Sequence, residues 1–210
     1  RFKEAEPLYL RALAIHERAS GPESRAVGEV LNNLALLYKK LERPDQVIAR
    51  YERALAIFEK TVGPEHEQIA NILHNIASFH LDENDYARAE PLFLRALPML
   101  ERTLGPDHPR VAITLNSLAL LYRLRADYPR AEALLARAVA INERRLGPEN
   151  PDVVPPLNTL ATVLTLKGDF AAAAPLLERC LAIYEKSLGA EHPNVATVLM
   201  NLGEMDRLEG

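Results

Sequence analysis

The feature that most constrains this chain is a period of 42 residues that runs from end to end. Leu31-Asn32-Asn33-Leu34-Ala35 returns as Leu73-His74-Asn75-Ile76-Ala77 and as Leu115-Asn116-Ser117-Leu118-Ala119. It returns again as Leu157-Asn158-Thr159-Leu160-Ala161 and as Leu199-Met200-Asn201-Leu202-Gly203, with no residue inserted or lost between copies. Self-similarity at such a period is the mark of a solenoid, in which each supersecondary unit buries its apolar face only against its neighbours.

Within a unit the pattern predicts two helices. A glycine recurs at one register as Gly21, Gly63, Gly105, Gly147 and Gly189, where a helix end with positive φ needs a residue without Cβ. A polar residue follows (Ser24, His66, His108, Asn150, His192), and then in three copies a proline (Pro109, Pro151, Pro193), which together form a helix start. Val27, Leu31, Leu34, Ala35 and Tyr38 lie on one face of the first helix, and Val47, Tyr51, Ala54, Leu55 and Phe58 on one face of the second. A basic column, Arg18, Lys60, Arg102, Arg144 and Lys186, suits the negative end of each second-helix dipole. The glycines, and the prolines that follow most of them, rule out a continuous coiled coil.

Period alone points to HEAT or armadillo hairpins, since tetratricopeptide units usually have about 34 residues. The residues point elsewhere. The first helix carries a large apolar residue, then Leu or Ile, Ala or Gly, and an aromatic, as in Leu31, Leu34, Ala35 and Tyr38, or Leu115, Leu118, Ala119 and Tyr122. The second carries small, aromatic or Leu, small: Ala5-Tyr9-Ala12, Val47-Tyr51-Ala54, Ala89-Phe93-Ala96, Ala131-Leu135-Ala138 and Ala173-Leu177-Cys180. Small residues let two helices approach, and the aromatic fills the space beside them.

That arrangement resembles the tetratricopeptide repeat (TPR). With Leu104-Gly105-Pro106-Asp107-His108-Pro109 between the helices, it resembles the repeat of kinesin light chains, one shared by many bacterial TPR proteins. The resemblance implies an all-α fold, a right-handed superhelical solenoid of antiparallel helix pairs. Residues 1–210 are expected to form one TPR array: a lone second helix over 1–20, full units at 21–62, 63–104, 105–146 and 147–188, and a lone first helix over 189–210. Starting and stopping mid-pattern, the chain reads as a piece of a longer protein. A bacterial member of the family is one expectation.

The resemblance also implies that first helices line an inner groove that binds an extended peptide of a partner protein. The inward positions are then Asn32, Asn33, His74, Asn75, Asn116, Ser117, Asn158, Thr159 and Asn201, joined one turn later by Ser78 and Thr162. Amides and hydroxyls both donate and accept, so such a ladder can pair with peptide backbone whatever its side chains. It can equally bond between neighbouring helices. Lys39 and Lys40 with Arg123 form the one candidate basic cluster, and charge along these positions is otherwise near balance. An alternative function is a regulatory or self-assembly segment in which the groove meets another domain of the same full-length protein.

Several columns carry structural expectations. Arg11, Arg53, Arg95, Arg137 and Arg179 precede Glu17, Glu59, Glu101, Glu143 and Glu185 by six residues, the wrong offset for pairing within a helix. Pairing between adjacent helices is expected instead. Cys180 takes a small packing position and should be a buried, inert thiol. Pro7, Pro91 and Pro175 sit early in second helices and Pro98 in mid-helix. Pro155-Pro156 should fray or kink the fourth first helix and change the groove width there.

Other functions are disfavoured. With 25 Lys and Arg against 29 Asp and Glu, the net charge of −4 is unlike that of a nucleic-acid binder. No uncharged apolar run approaches the roughly 18 residues of a membrane helix. One cysteine allows no internal disulfide and suits the cytoplasm. His66, His108 and His192 fall in separate turns, on the order of 10 Å apart by helix packing, whereas zinc ligands sit about 2 Å from the metal. His74 and His80 point to opposite sides of one helix. No metal, no cofactor and no catalytic residue is expected.

Overall fold

The computed structural model describes residues 2–210, and among them every regular element is helical. Five second helices, α1 (Phe2–Ser20), α3 (Pro44–Val62), α5 (Tyr86–Leu104), α7 (Tyr128–Leu146) and α9 (Phe170–Leu188), alternate with first helices. The first helices are α2 (Arg25–Lys40), α4 (Glu67–Asp82), α6 (Pro109–Leu124), α8 (Val154–Leu166) and α10 (Pro193–Glu209). The chain divides into two compact units, Arg1–Leu104 and Gly105–Gly210, and within each the helix pairs stack as a solenoid.

Local chemistry sets the helix limits. The second-helix ends close on glycine: Gly63 has φ 84° and ψ 161°, a region open essentially to glycine alone. The recurrent histidines are N-caps. Nδ1 of His66, His108 and His192 accepts the backbone N–H of Gln68, Arg110 and Asn194 at 3.1–3.2 Å, and Asn150 Oδ1 does the same for Asp152 at 2.9 Å. Asp127 and Asp169 cap α7 and α9 in the same way.

The small–large–small column of the second helices forms the core. Val47, Tyr51, Ala54, Ala89, Phe93 and Ala96 are fully buried in the first unit, as are Ala131, Leu135, Ala138, Ala173, Leu177 and Cys180 in the second. Each large side chain so placed contributes about 1.5–3 kcal/mol. In α1 the same column (Ala5, Tyr9, Ala12) is only half-buried. Burial pushes the Cys180 thiol up to about 12, against a smaller opposing pull from Arg179, so the thiol stays protonated and unreactive.

Two ladders of ion pairs tie second helices to what precedes them. Arg53 reaches Glu17 at 2.7 Å, Arg95 reaches Glu59 at 3.0 Å and Arg179 reaches Glu143 at 2.7 Å, each joining successive second helices. The terminal basic column pairs with turn acids: Lys60 with Glu23, Arg102 with Glu65, Arg144 with Asp107 and Lys186 with Glu149. The turn acids thus join the helix dipole in accounting for that column.

Prolines inside α1, α5 and α9 leave those helices continuous. At Pro155-Pro156 the irregularity falls at the start of the helix. Residues Pro151–Val153 form a 3₁₀ turn, and α8 begins only at Val154, with 13 residues where α2, α4 and α6 have 16. Both prolines then stand in the first turn, where a missing N–H leaves no bond unmade. The start of the α-helix moves by three residues.

Candidate functional site

Within each unit the first helices and the second helices are tied together in different ways. Short amides bridge them: Asn75 Nδ2 donates to Asn32 Oδ1 at 3.2 Å between α4 and α2, and Asn201 Nδ2 donates to Asn158 Oδ1 at 2.9 Å between α10 and α8. Among the described residues, longer Arg–Glu pairs bridge successive second helices. Each unit thus has a first-helix side and a second-helix side.

The expected site residues all stand on that side, and none is fully buried. They divide by what they already bond. Asn32, Asn75, Asn158 and Asn201 form the two rungs, and each rung uses one N–H of one amide and one lone pair of the other. The remaining amide donors and acceptors stay open. Ser78 Oγ and His74 Nε2 are 3.3 Å apart, and the His74 ring meets the Phe93 ring edge-on at 5.5 Å. Thr159 and Thr162 turn their hydroxyls back onto the carbonyls of Pro155 and Asn158, both at 2.9 Å. Asn33 is exposed, and neither it nor Ser117 makes a side-chain hydrogen bond.

One rung is missing. By register Asn116 should meet Thr159 as Asn32 meets Asn75, but the threonine bonds its own helix. Asn116 Oδ1 is left buried with no hydrogen-bond partner.

The candidate basic residues fall in both units. Lys39 is paired with Asp82 at 2.7 Å on the neighbouring first helix, which neutralises it. Arg123 belongs to the other unit, and its Nε is buried without a partner. Lys39, Lys40 and Asp82, together with Arg43 and Glu83, border a mixed-charge hollow of about 560 Å³.

The sequence expectation omitted Asn142 and Asp152. Asn142 is 7% exposed and its Nδ2 donates to the Asp152 carbonyl at 2.7 Å, pinning the 3₁₀ turn. The signal was present, since its column otherwise reads His16, Phe58, Leu100 and Tyr184. His80, buried on α4, has its imidazole pKa lowered, first by burial and then by Arg88. No group of three or more His, Cys, Asp or Glu among the described residues could hold a metal, and no described helix is long and apolar enough to cross a membrane.

Comparison with known proteins agrees with this geometry. The tetratricopeptide repeat profile matches residues 1–60, 68–144 and 152–210. The chain belongs to the tetratricopeptide repeat family. Among solved structures, BtubC (BKLC) from P. vanneervenii is 29% identical with a TM-score of 0.79, over 91% of this chain and 76% of that one. A Podosopora anserina putative kinesin light chain with nearly identical TPR-like repeats is 25% identical with a TM-score of 0.73, over 87% and 86%. The TPR fold here is thus kinesin light chain-like. The apo form of RapI, at 16% identity and TM-score 0.77 over 99% and 78%, shares the fold alone. No curated protein matches. TPR-fold proteins generally act as scaffolds for protein–protein interaction.

Proposed function

We propose that the first-helix side of this TPR array binds an extended segment of a partner protein, with residues 1–210 acting as one array in the cytoplasm. The observation that carries the reading is the set of part-exposed amides at Asn32, Asn75, Asn158 and Asn201. Bonding to one another holds their geometry while leaving donors and acceptors open. Groups ordered before binding lose less entropy on binding. At about 0.5–1.5 kcal/mol net for each hydrogen bond, four or five supply part of a micromolar affinity near −8 kcal/mol. Side-chain pockets supply the remainder.

Asn33→Ala with Ser117→Ala provides the test, because neither side chain bonds to the protein. Selection from a random peptide library should return a motif with the parent chain. The double variant should bind it several-fold more weakly, with a melting temperature within about a degree, as befits surface changes. A library that returns no motif would overturn peptide capture and favour contact with another part of the same full-length chain.

A further inference from the structure

The third and fourth repeats hold a cavity. In the first full repeat the Phe58 ring packs on Gly28, with ring carbons 3.0–3.2 Å from where a Cβ would stand. One repeat pair later the corresponding residues are Asn142 and Ala112, and the shorter amide is drawn aside by the Asp152 carbonyl. What remains is a cavity of about 290 Å³ between α6, the end of α7 and the late start of α8.

Its walls are apolar, from Ala112, Ile113, Leu146, Pro155 and Pro156. Ile113 is 55% exposed at the mouth. Its polar lining comes from Asn116, Asn142 and Asp152, and two of its acceptors are open. Asn116 Oδ1 is buried with no donor, and the exposed Asp152 carboxylate makes no hydrogen bond or ion pair. No Lys, Arg or His lines it. An apolar sleeve with unpaired acceptors and one unneutralised carboxylate complements a side chain with a methylene stem and a cationic, donor-only head.

We propose that this cavity receives a lysine or arginine side chain of the bound segment. Its methylenes lie along Ile113, Pro155 and Pro156, and its N–H groups meet Asn116 Oδ1 and the Asp152 carboxylate. The assignment rests on the peptide-binding reading and adds to it a position and a charge.

The test is selection from a random ten-residue peptide library, followed by fluorescence titration of the selected peptides. Three proteins are compared: the parent chain, Asn142→Leu, which restores the residue found at Leu100 and fills the cavity, and Asp152→Asn, which keeps its shape. The parent should select one invariant basic position. Both variants should bind that peptide about tenfold more weakly, the size of one lost charge-assisted hydrogen bond. They should bind its basic-to-alanine counterpart as the parent does. If Asn142→Leu fails to fold, Asp152→Asn decides alone. A motif without a basic position, or one whose basic preference survives both changes, overturns the cavity assignment and leaves peptide binding intact. No selected peptide at all overturns both.

Discussion

The two units build their first-helix faces on one repeat and furnish them differently. In the first unit the face runs through Glu29, Asn32, Asn33, Lys39 and Lys40 on α2 and through Asn71, His74, Asn75, Ser78 and Asp82 on α4. Its rung is closed, and its Lys39 and Asp82 are paired. In the second unit the register of Lys40 and Asp82 is held by Leu124, Leu166 and Leu208, each more than 40% exposed, and Ile113 and Pro155 replace Glu29 and Asn71. There the rung at Asn116 is open. The same repeat thus presents a mostly polar strip in one unit, with its rung closed and Lys39 paired, and a more apolar strip with an open acceptor at Asn116 in the other. An open acceptor beside exposed apolar surface gains on being covered. The second unit is the better candidate for side-chain recognition.

The largest expected effect tests whether the two units share one backbone logic. Gly63→Ala and Gly147→Ala each force a Cβ into a positive-φ, extended-ψ conformation, and each should lower stability by about 1–3 kcal/mol in urea unfolding. A loss in one unit alone would break the equivalence on which the comparison stands.

Next, Thr159→Asn supplies the missing partner to Asn116, as Asn75 and Asn201 do for theirs. It should raise stability by about 1 kcal/mol, the value of one hydrogen bond, read from the urea midpoint. An unchanged midpoint would mean that the late start of α8, more than the threonine, keeps the rung open.

A pH effect should distinguish the first unit. Burial holds the His80 pKa below its usual value, so the unfolded chain takes up the proton first. The stability linked to neutral His80 is complete above about pH 6.5, the unfolded value. It declines as pH falls from there toward the depressed folded value. His80→Tyr, which copies Tyr38 and Tyr122 of the same column, should flatten the acid-side slope of melting temperature between about pH 6.5 and 5. The smallest effect belongs to Asp82→Leu, which copies Leu124. The pair it breaks is partly exposed, so the loss should stay below about 1 kcal/mol and shrink with added salt.

Much of this was legible in the residues because it rests on local physics. The glycine column and the His and Asn caps marked the helix limits, and the small–large–small column marked the core. The offset of six between Arg and Glu pointed to pairing between helices. The candidate face was legible as a set of positions, but its division into bonded and open groups was not. The sequence shows the charge of Lys39, and only the fold shows that Asp82 pairs with it. Asn142 departs from its column in the sequence, but only the fold shows the space that the shorter amide vacates. Pro155-Pro156 stands out as an irregularity in the sequence, and the late start of α8 after a 3₁₀ turn depends on where the first turn can be satisfied.

By itself the amino-acid sequence determined the repeat, the helix pairs, their ends and the family, because periodicity, capping and side-chain size act over a turn or two of chain. Only the tertiary structure decided which amides bond one another, which cation is neutralised and where a cavity opens. The amide rungs depend on contacts between residues 43 apart, which exist only once neighbouring pairs have stacked, and the cavity on a bond from the end of one helix to the turn that follows it.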